Sequence, residues 1–111
     1  MLLVDGMNVI GSRPDGWWRD RRGAQRALVR ALGALGDPVT VVFDGAPHDV
    51  DPPEGVEVAF APHADDEIAE RAAPGVTVVT SDRELARRAR AAGAEVVPAK
   101  AFRERLSPRT D

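Results

Sequence analysis

Three short apolar runs in this chain each stop at an acid. Leu2-Leu3-Val4 runs into Asp5-Gly6, Val39 to Phe43 into Asp44-Gly45, and Val76 to Thr80 into Ser81-Asp82. Runs that are apolar throughout, rather than at alternate positions, belong to strands covered on both faces, the condition of a parallel sheet held between helices. The segments between the runs must therefore supply two helical layers. Arg21 to Leu35 reads as one such helix. Ala24, Ala27, Leu28, Ala31, Leu32 and Leu35 form its apolar stripe, and Arg22, Arg26 and Arg30 recur on the other side before Gly36 and Asp37-Pro38 stop it.

The remaining segments fit the same plan. Residues 12–20 and 46–55, rich in Pro, Gly and polar side chains, read as loops. Val56, Val58 and Phe60 alternate with Glu57 and Ala59, the pattern of a half-exposed edge strand. Residues 64–73 read as a short helix with acids in its first turn, ended by Pro74-Gly75. Ser81 with Glu84 matches the S-x-x-E capping box, so Ser81 is expected to cap a helix whose apolar face is Leu85, Ala89 and Ala92. Glu95 to Val97 is a last strand, 100–106 a closing helical turn or two, and the tail 107–111 is expected to fray. Strands alternating with helices give an α/β fold with right-handed crossovers, in one domain spanning residues 1–111.

Composition narrows the setting. The chain has no cysteine, which excludes a disulfide framework and thiolate metal sites and suits a reducing cytoplasm. No apolar run approaches a membrane span, and the start has no basic region ahead of its apolar run, so a strand is expected there rather than a signal peptide. A net charge of −3 does not advertise nucleic-acid binding, but the charges are segregated. Arginines gather at 13–30 and 83–90, Lys100 and further arginines at 100–109, and acids dominate 44–70. A basic rim beside an acidic pit fits this pattern, as do arginines that only solvate helix faces.

In an open α/β sheet the carboxyl ends of the strands lie along one edge, where ligands bind. Asp5, Asp44 and Asp82 are delivered to that edge, and Asp65 opens the helix after the edge strand. Each acid alone has a plainer explanation. A helix N-terminus favours Asp65 and Asp82 by ~0.3–1 kcal/mol, and Asp-Gly pairs make turns. Those explanations do not predict that all four reach one edge. Carboxylates crowded together repel, a hard divalent cation relieves the repulsion, and such sites suit phosphoryl chemistry. Asp65 shares a helical face with Ile68, Ala69 and Ala72, whereas Asp66 is displaced by about 100°.

The pieces LLVDGMNVIG, VVFDG, HADDEIAE, VVTSD and AKAFRERL, in that order, give the chain a resemblance that spans nearly its whole length. It resembles the NYN branch of the PIN-like ribonucleases and, within it, the bacterial YacP-like group. The resemblance implies a three-layer α/β/α fold with a five-stranded parallel sheet in the order 3-2-1-4-5. It also implies a Mg²⁺- or Mn²⁺-dependent endoribonuclease acting in RNA processing or on messenger RNA at the ribosome. Asp5 matches the first-strand acid, Asn8 the asparagine of D-G-x-N, Asp65 the acid of A-D-x-x-I, Asp82 that of T-S-D, and Asp44 the acid after the second strand. Asp66 is the runner-up to Asp65, expected otherwise as a supporting or RNA-side group, and Ser81 is expected as a second supporting group. Arg13, Trp17, Trp18, Arg19, Arg22, Arg83 and Arg87 are the candidate RNA contacts, with one tryptophan expected to pack under its loop. His48 and His63 are expected to be ordinary loop residues. Two other readings stay open: a non-catalytic RNA- or ribosome-binding module on the same fold, and a phospho-acceptor. The second lacks the D-x-D of dehalogenase-type enzymes, since Gly6 and Met7 follow Asp5, and the acid pair of a receiver.

Overall fold

Alternate side chains of the first strand enter different halves of the core. Leu3 packs on one side with Val42, Ile68, Val78, Leu85 and Ala89, and Val4 on the other with Val9, Ile10, Leu28, Val29, Leu32, Val41, Phe43 and Phe102. Both faces of the strand are thus buried, which is why its sequence is apolar without alternation. In the computed structural model, which describes residues 1–13 and 15–106, the elements follow in this order. They are β1 (Leu2–Asp5), α1 (Gly6–Gly11), a 3₁₀ turn (Trp17–Arg19), α2 (Arg21–Gly33), β2 (Val39–Asp44), β3 (Val56–Ala61), α3 (Ala64–Arg71), β4 (Thr77–Val79), α4 (Arg83–Ala91), β5 (Glu95–Val97) and α5 (Ala99–Leu106).

The five strands are parallel and lie in the order β3-β2-β1-β4-β5. The fold is the PIN-like α/β arrangement with helices on both faces. β1 is central, with Leu2 beside Val39 on one flank and Thr77 on the other. The chain builds outward from β1 to β3, then returns to place β4 on the other flank. That reversal beside β1 is where an open sheet leaves a crevice at its carboxyl edge. The edge position of β3 agrees with its alternating pattern, Val56 being buried and Glu57 exposed. Among the described residues no helix is long and apolar enough to cross a membrane. The expected fraying of 107–111 lies outside the described residues.

The structure adds two elements and moves one cap. Residues 6–11 form α1, although a glycine stands at each end of so short a segment. The 3₁₀ turn falls within the expected loop at 12–20, and puts Trp17 half-buried against the core while Trp18 stays exposed. Ser81 does not cap α4. Asp82 does, its Oδ1 accepting from the Leu85 amide at 3.0 Å, and Glu84 is occupied with Arg87. The Ser81 hydroxyl instead accepts from the amide of Ala99, the first residue of α5, at 2.9 Å. A tertiary partner has overridden the local capping box.

Gly6 explains the turn from β1 into α1. A Cβ at this position would lie 2.4 Å from two ring carbons of Phe43, a fully buried side chain. Only glycine lets α1 start directly over β2. Gly6→Ala should therefore cost about 1–3 kcal/mol in urea denaturation, and Phe43→Leu in the same chain should recover part of that loss. Simple addition of the two costs would show that the Phe43 contact is not the cause.

Candidate active site

Asp5, Asn8, Asp44, Asp65 and Asp82, together with Met7, line one open cleft of about 310 Å³ at the carboxyl edge of the sheet. Each acid arrives by a different route. Asp5 ends β1, Asp44 ends β2, Asp65 lies in the first turn of α3 and Asp82 caps α4.

Asp5 is the buried member, only 8% exposed. Its Oδ2 accepts from the Thr80 hydroxyl at 2.9 Å, a bond from the end of β4 to the end of β1. Burial pushes its carboxyl up from 3.8 to about 6. The Thr80 hydrogen bond works against this, the charge of Asp44 adds to it, the Asn8 amide again opposes it, and Asp82 adds a last push. A carboxyl shifted by desolvation and by like charges in a cleft is a candidate for holding a cation or a proton.

The other side chains are held by specific bonds. Asp44 Oδ1 accepts from the Ala64 amide at 2.9 Å, so the end of β2 caps α3, where His63 in the N-cap position makes no capping bond of its own. Asp65 is exposed one residue further on. Asn8 Oδ1 accepts from the Ser81 amide at 2.7 Å and ties α1 to the segment leading into α4. Thr80 Oγ1 also accepts from the Asp82 amide at 3.1 Å. One hydroxyl therefore sets two of the acids.

The donor set is entirely oxygen, four carboxylates and an amide, which fits a hard divalent cation and not a soft one. Among the described residues, no group of three His, Cys, Asp or Glu side chains could by itself hold a metal ion. One oxygen each of Asp44 and Asp82 is turned to a helix amide, and Asp65 stands exposed. The acids border a cleft rather than form a closed cage. Mg²⁺ commonly retains several waters and needs only one or two carboxylates, so the residues fit a partly hydrated ion.

The supporting and RNA-side candidates disperse more. Asp66 does not line the cleft; it accepts from Arg88 Nη1 at 2.9 Å and joins α3 to α4. Ser81 does not line the cleft; its amide donates to Asn8 and its hydroxyl accepts from the Ala99 amide. Arg87 is paired with Glu84 on the same helix, which raises the guanidinium's pKa and lowers the carboxyl's. Arg13 lies 4.0 Å from Asp15. Arg19, Arg22 and Arg83 are exposed. Trp17 and Trp18 meet edge to face, 6.0 Å between centroids, with Trp18 61% exposed.

His48 is not an ordinary loop residue. It packs on Phe60, 5.4 Å between rings, and its Nε2 hydrogen-bonds Oε1 of the buried Gln25. Gln25 in turn donates to Met7 Sδ at 3.3 Å, so the loop after β2 is pinned through α2 to a cleft residue. Arg21 was also missed by sequence reasoning. Its Nη2 donates to the Asp44 carbonyl at 3.3 Å, and nothing in an arginine-rich helix start distinguishes it beforehand.

The family profile described as the YacP-like NYN domain matches residues 2–110. Two solved structures are similar over nearly the whole chain. The crystal structure of Rae1 (YacP) from Bacillus subtilis is 26% identical, with a TM-score of 0.76, and the match covers 96% of this chain and 72% of that one. Its W164L mutant is 28% identical with a TM-score of 0.75, and the match covers 95% and 72%. No curated protein matches the chain.

Two stability predictions follow from this geometry. The folded protein holds a proton on Asp5 up to about pH 6, whereas the unfolded chain loses it near 3.8. Stability of the metal-free protein should thus fall as pH rises through that window and stay lower above it, by at most about 3 kcal/mol. In chelator, Asp5→Asn should remove this slope and unfold at higher urea than the wild type at pH 7.5, with little difference at pH 3.5. An unchanged pH slope would mean that the burial of Asp5 is not its source. Asp44→Ala should cost about 0.5–2 kcal/mol as a lost helix cap, and Asp44→Asn, which keeps an acceptor, distinctly less.

Proposed function

Because the chain belongs to the YacP-like NYN domain family, we propose that it is a divalent-metal-dependent endoribonuclease that hydrolyses phosphodiester bonds. One observation supports this most: four carboxylates from the ends of β1 and β2 and the starts of α3 and α4 line a single cleft. The family fold is that of PIN-like nucleases, and NYN domains are generally divalent-metal dependent. The proposed partner is RNA, free or on the ribosome, and the proposed setting is the cytoplasm, where a chain without cysteine has nothing to lose to reduction.

Asp5, Asp65 and Asp82 would hold Mg²⁺ or Mn²⁺, with Asp44 in support. When bound, the cation supplies charge neutralisation at the phosphate and makes water more acidic. The protein's own groups do the positioning. Thr80 fixes the Asp5 carboxylate through its hydroxyl, and the same oxygen sets the Asp82 amide. Asn8 holds α1 against the β4 end, so the acids on the two flanks of the crevice keep their spacing. Asp5, the buried member at the end of β1, would anchor the ion at the centre of the crevice. Arg13, Arg19, Arg22, Arg83 and Arg87 would face the phosphate backbone, and the exposed Trp18 offers a ring for base stacking. For Arg87 this means exchanging Glu84 for phosphate.

The test is cleavage of single-stranded RNA with Mn²⁺ by the wild type, Asp5→Asn and Asp82→Asn. Asn caps a helix about as well as Asp, so Asp82→Asn should keep α4 intact. Both variants should lose cleavage, by a hundredfold or more (on the order of ~10² for the loss of one preorganised catalytic group), while circular dichroism stays native. The wild-type fragments should carry 5′-phosphate and 3′-hydroxyl ends. Wild-type rates in both variants, or 2′,3′-cyclic phosphate ends, would refute the mechanism. Tight RNA binding without cleavage by the wild type would favour a non-catalytic binding module.

A further inference from the structure

The basic side chains differ in what they already hold. Arg71 is shared between Glu67 at 2.8 Å and Glu57 at 3.0 Å, Arg87 is paired with Glu84, and Arg88 binds Asp66. Their charge is largely spent on acids of the protein. Arg21 has no acidic partner among the described residues. Its one hydrogen bond is to the main-chain carbonyl of Asp44, a residue that lines the acid cleft. It is thus a cation set against the main chain of a cleft residue, with no ion pair of its own among the described residues.

Arg21 is also held there. It is the first residue of α2, whose N-cap Asp20 accepts from the Gly23 amide at 3.0 Å. Further along the helix, Gln25 hydrogen-bonds His48, and Arg26 Nε donates to the Asp49 carbonyl at 3.3 Å. Three consecutive polar links therefore fasten α2 to the segment 44–49. The Arg21 guanidinium uses one of its five N–H donors on Asp44, which leaves the remainder of a planar fork exposed. Such a fork matches two oxygens of a phosphate.

We propose that Arg21 binds a backbone phosphate of the RNA next to the one at the acid cleft, and so sets the register of the strand across it. This rests on the nuclease reading above. The acids repel a polyanion, and a fixed cation at their edge offsets the repulsion for a strand that enters from the α2 side.

A phosphate contact has a signature that a structural role lacks. For single strands, the slope of log affinity against log salt carries about 0.7 for each neutralised phosphate. The measurement is binding of a fluorescent single-stranded RNA oligonucleotide in chelator, titrated from low to moderate KCl, beside steady-state cleavage in Mn²⁺. Arg21→Gln should flatten the slope by about 0.7. It should weaken binding evenly across sequences and raise KM with little change in kcat. Arg21→Lys should restore the slope. Arg71→Gln, whose guanidinium is already occupied, should leave it as in the wild type. If the wild type binds and cuts RNA while Arg21→Gln keeps the full slope, or Arg71→Gln lowers it equally, the role of Arg21 is overturned and the nuclease reading stands. If the wild type neither binds nor cuts, the nuclease reading falls and this contact falls with it. Native circular dichroism of Arg21→Gln excludes misfolding as the source of a changed slope.

Discussion

A carboxylate buried at the end of the central strand is the constraint around which the rest of this molecule is arranged. Asp5 sits where β1 leaves the core, almost wholly out of water, with two more acids near enough to raise its pKa. Left alone, such a group would be a liability of the kind that proteins remove. Here the neighbouring structure accommodates it. Thr80 donates to it from just past β4, Gly6 lets the backbone turn away at once, and Asn8 fastens that turn to the Ser81 amide. The energetic conflict is local, and the two apolar layers above and below the sheet are large enough to carry it.

The fold was legible in the sequence because burial on both faces leaves a plain mark. Leu2–Val4, Val39–Phe43 and Val76–Thr80 could only be interior strands, and the strand order followed once the motifs pointed to a family. The shared edge of the four acids was legible for the same reason: a parallel sheet puts all its strand ends on one side. What the sequence did not disclose were choices made between distant parts of the chain. Ser81 and Asp82 compete for the start of α4, and the local motif favours Ser81. The amide of Ala99, eighteen residues on, takes the serine hydroxyl and leaves the cap to the aspartate. α1 was missed because its propensity is poor and only its packing over Phe43 explains it. Arg21 and His48 were missed because neither belongs to a local pattern; each acquires its place from a partner more than twenty residues away.

The cleft acids also hold up helices. Asp44 gives one oxygen to α3 and Asp82 one to α4. Each of these acids thus serves a helix start as well as the cleft it lines. The cleft that they line stays open, and Arg21 contacts the main chain of one of them.

The bond between Asp5 and Thr80 spans 75 positions of the chain, and that between Asn8 and Ser81 spans 73. A chain is synthesised from its amino end, so Asp5 and Asn8 leave the ribosome long before their partners. The first half of the cleft is made early and the second half late, and the two meet only when β4 docks beside β1. Until then the emerging polypeptide carries scattered carboxylates and no site. The topology thereby delays assembly of the cleft until the segment through Asp82 has been made.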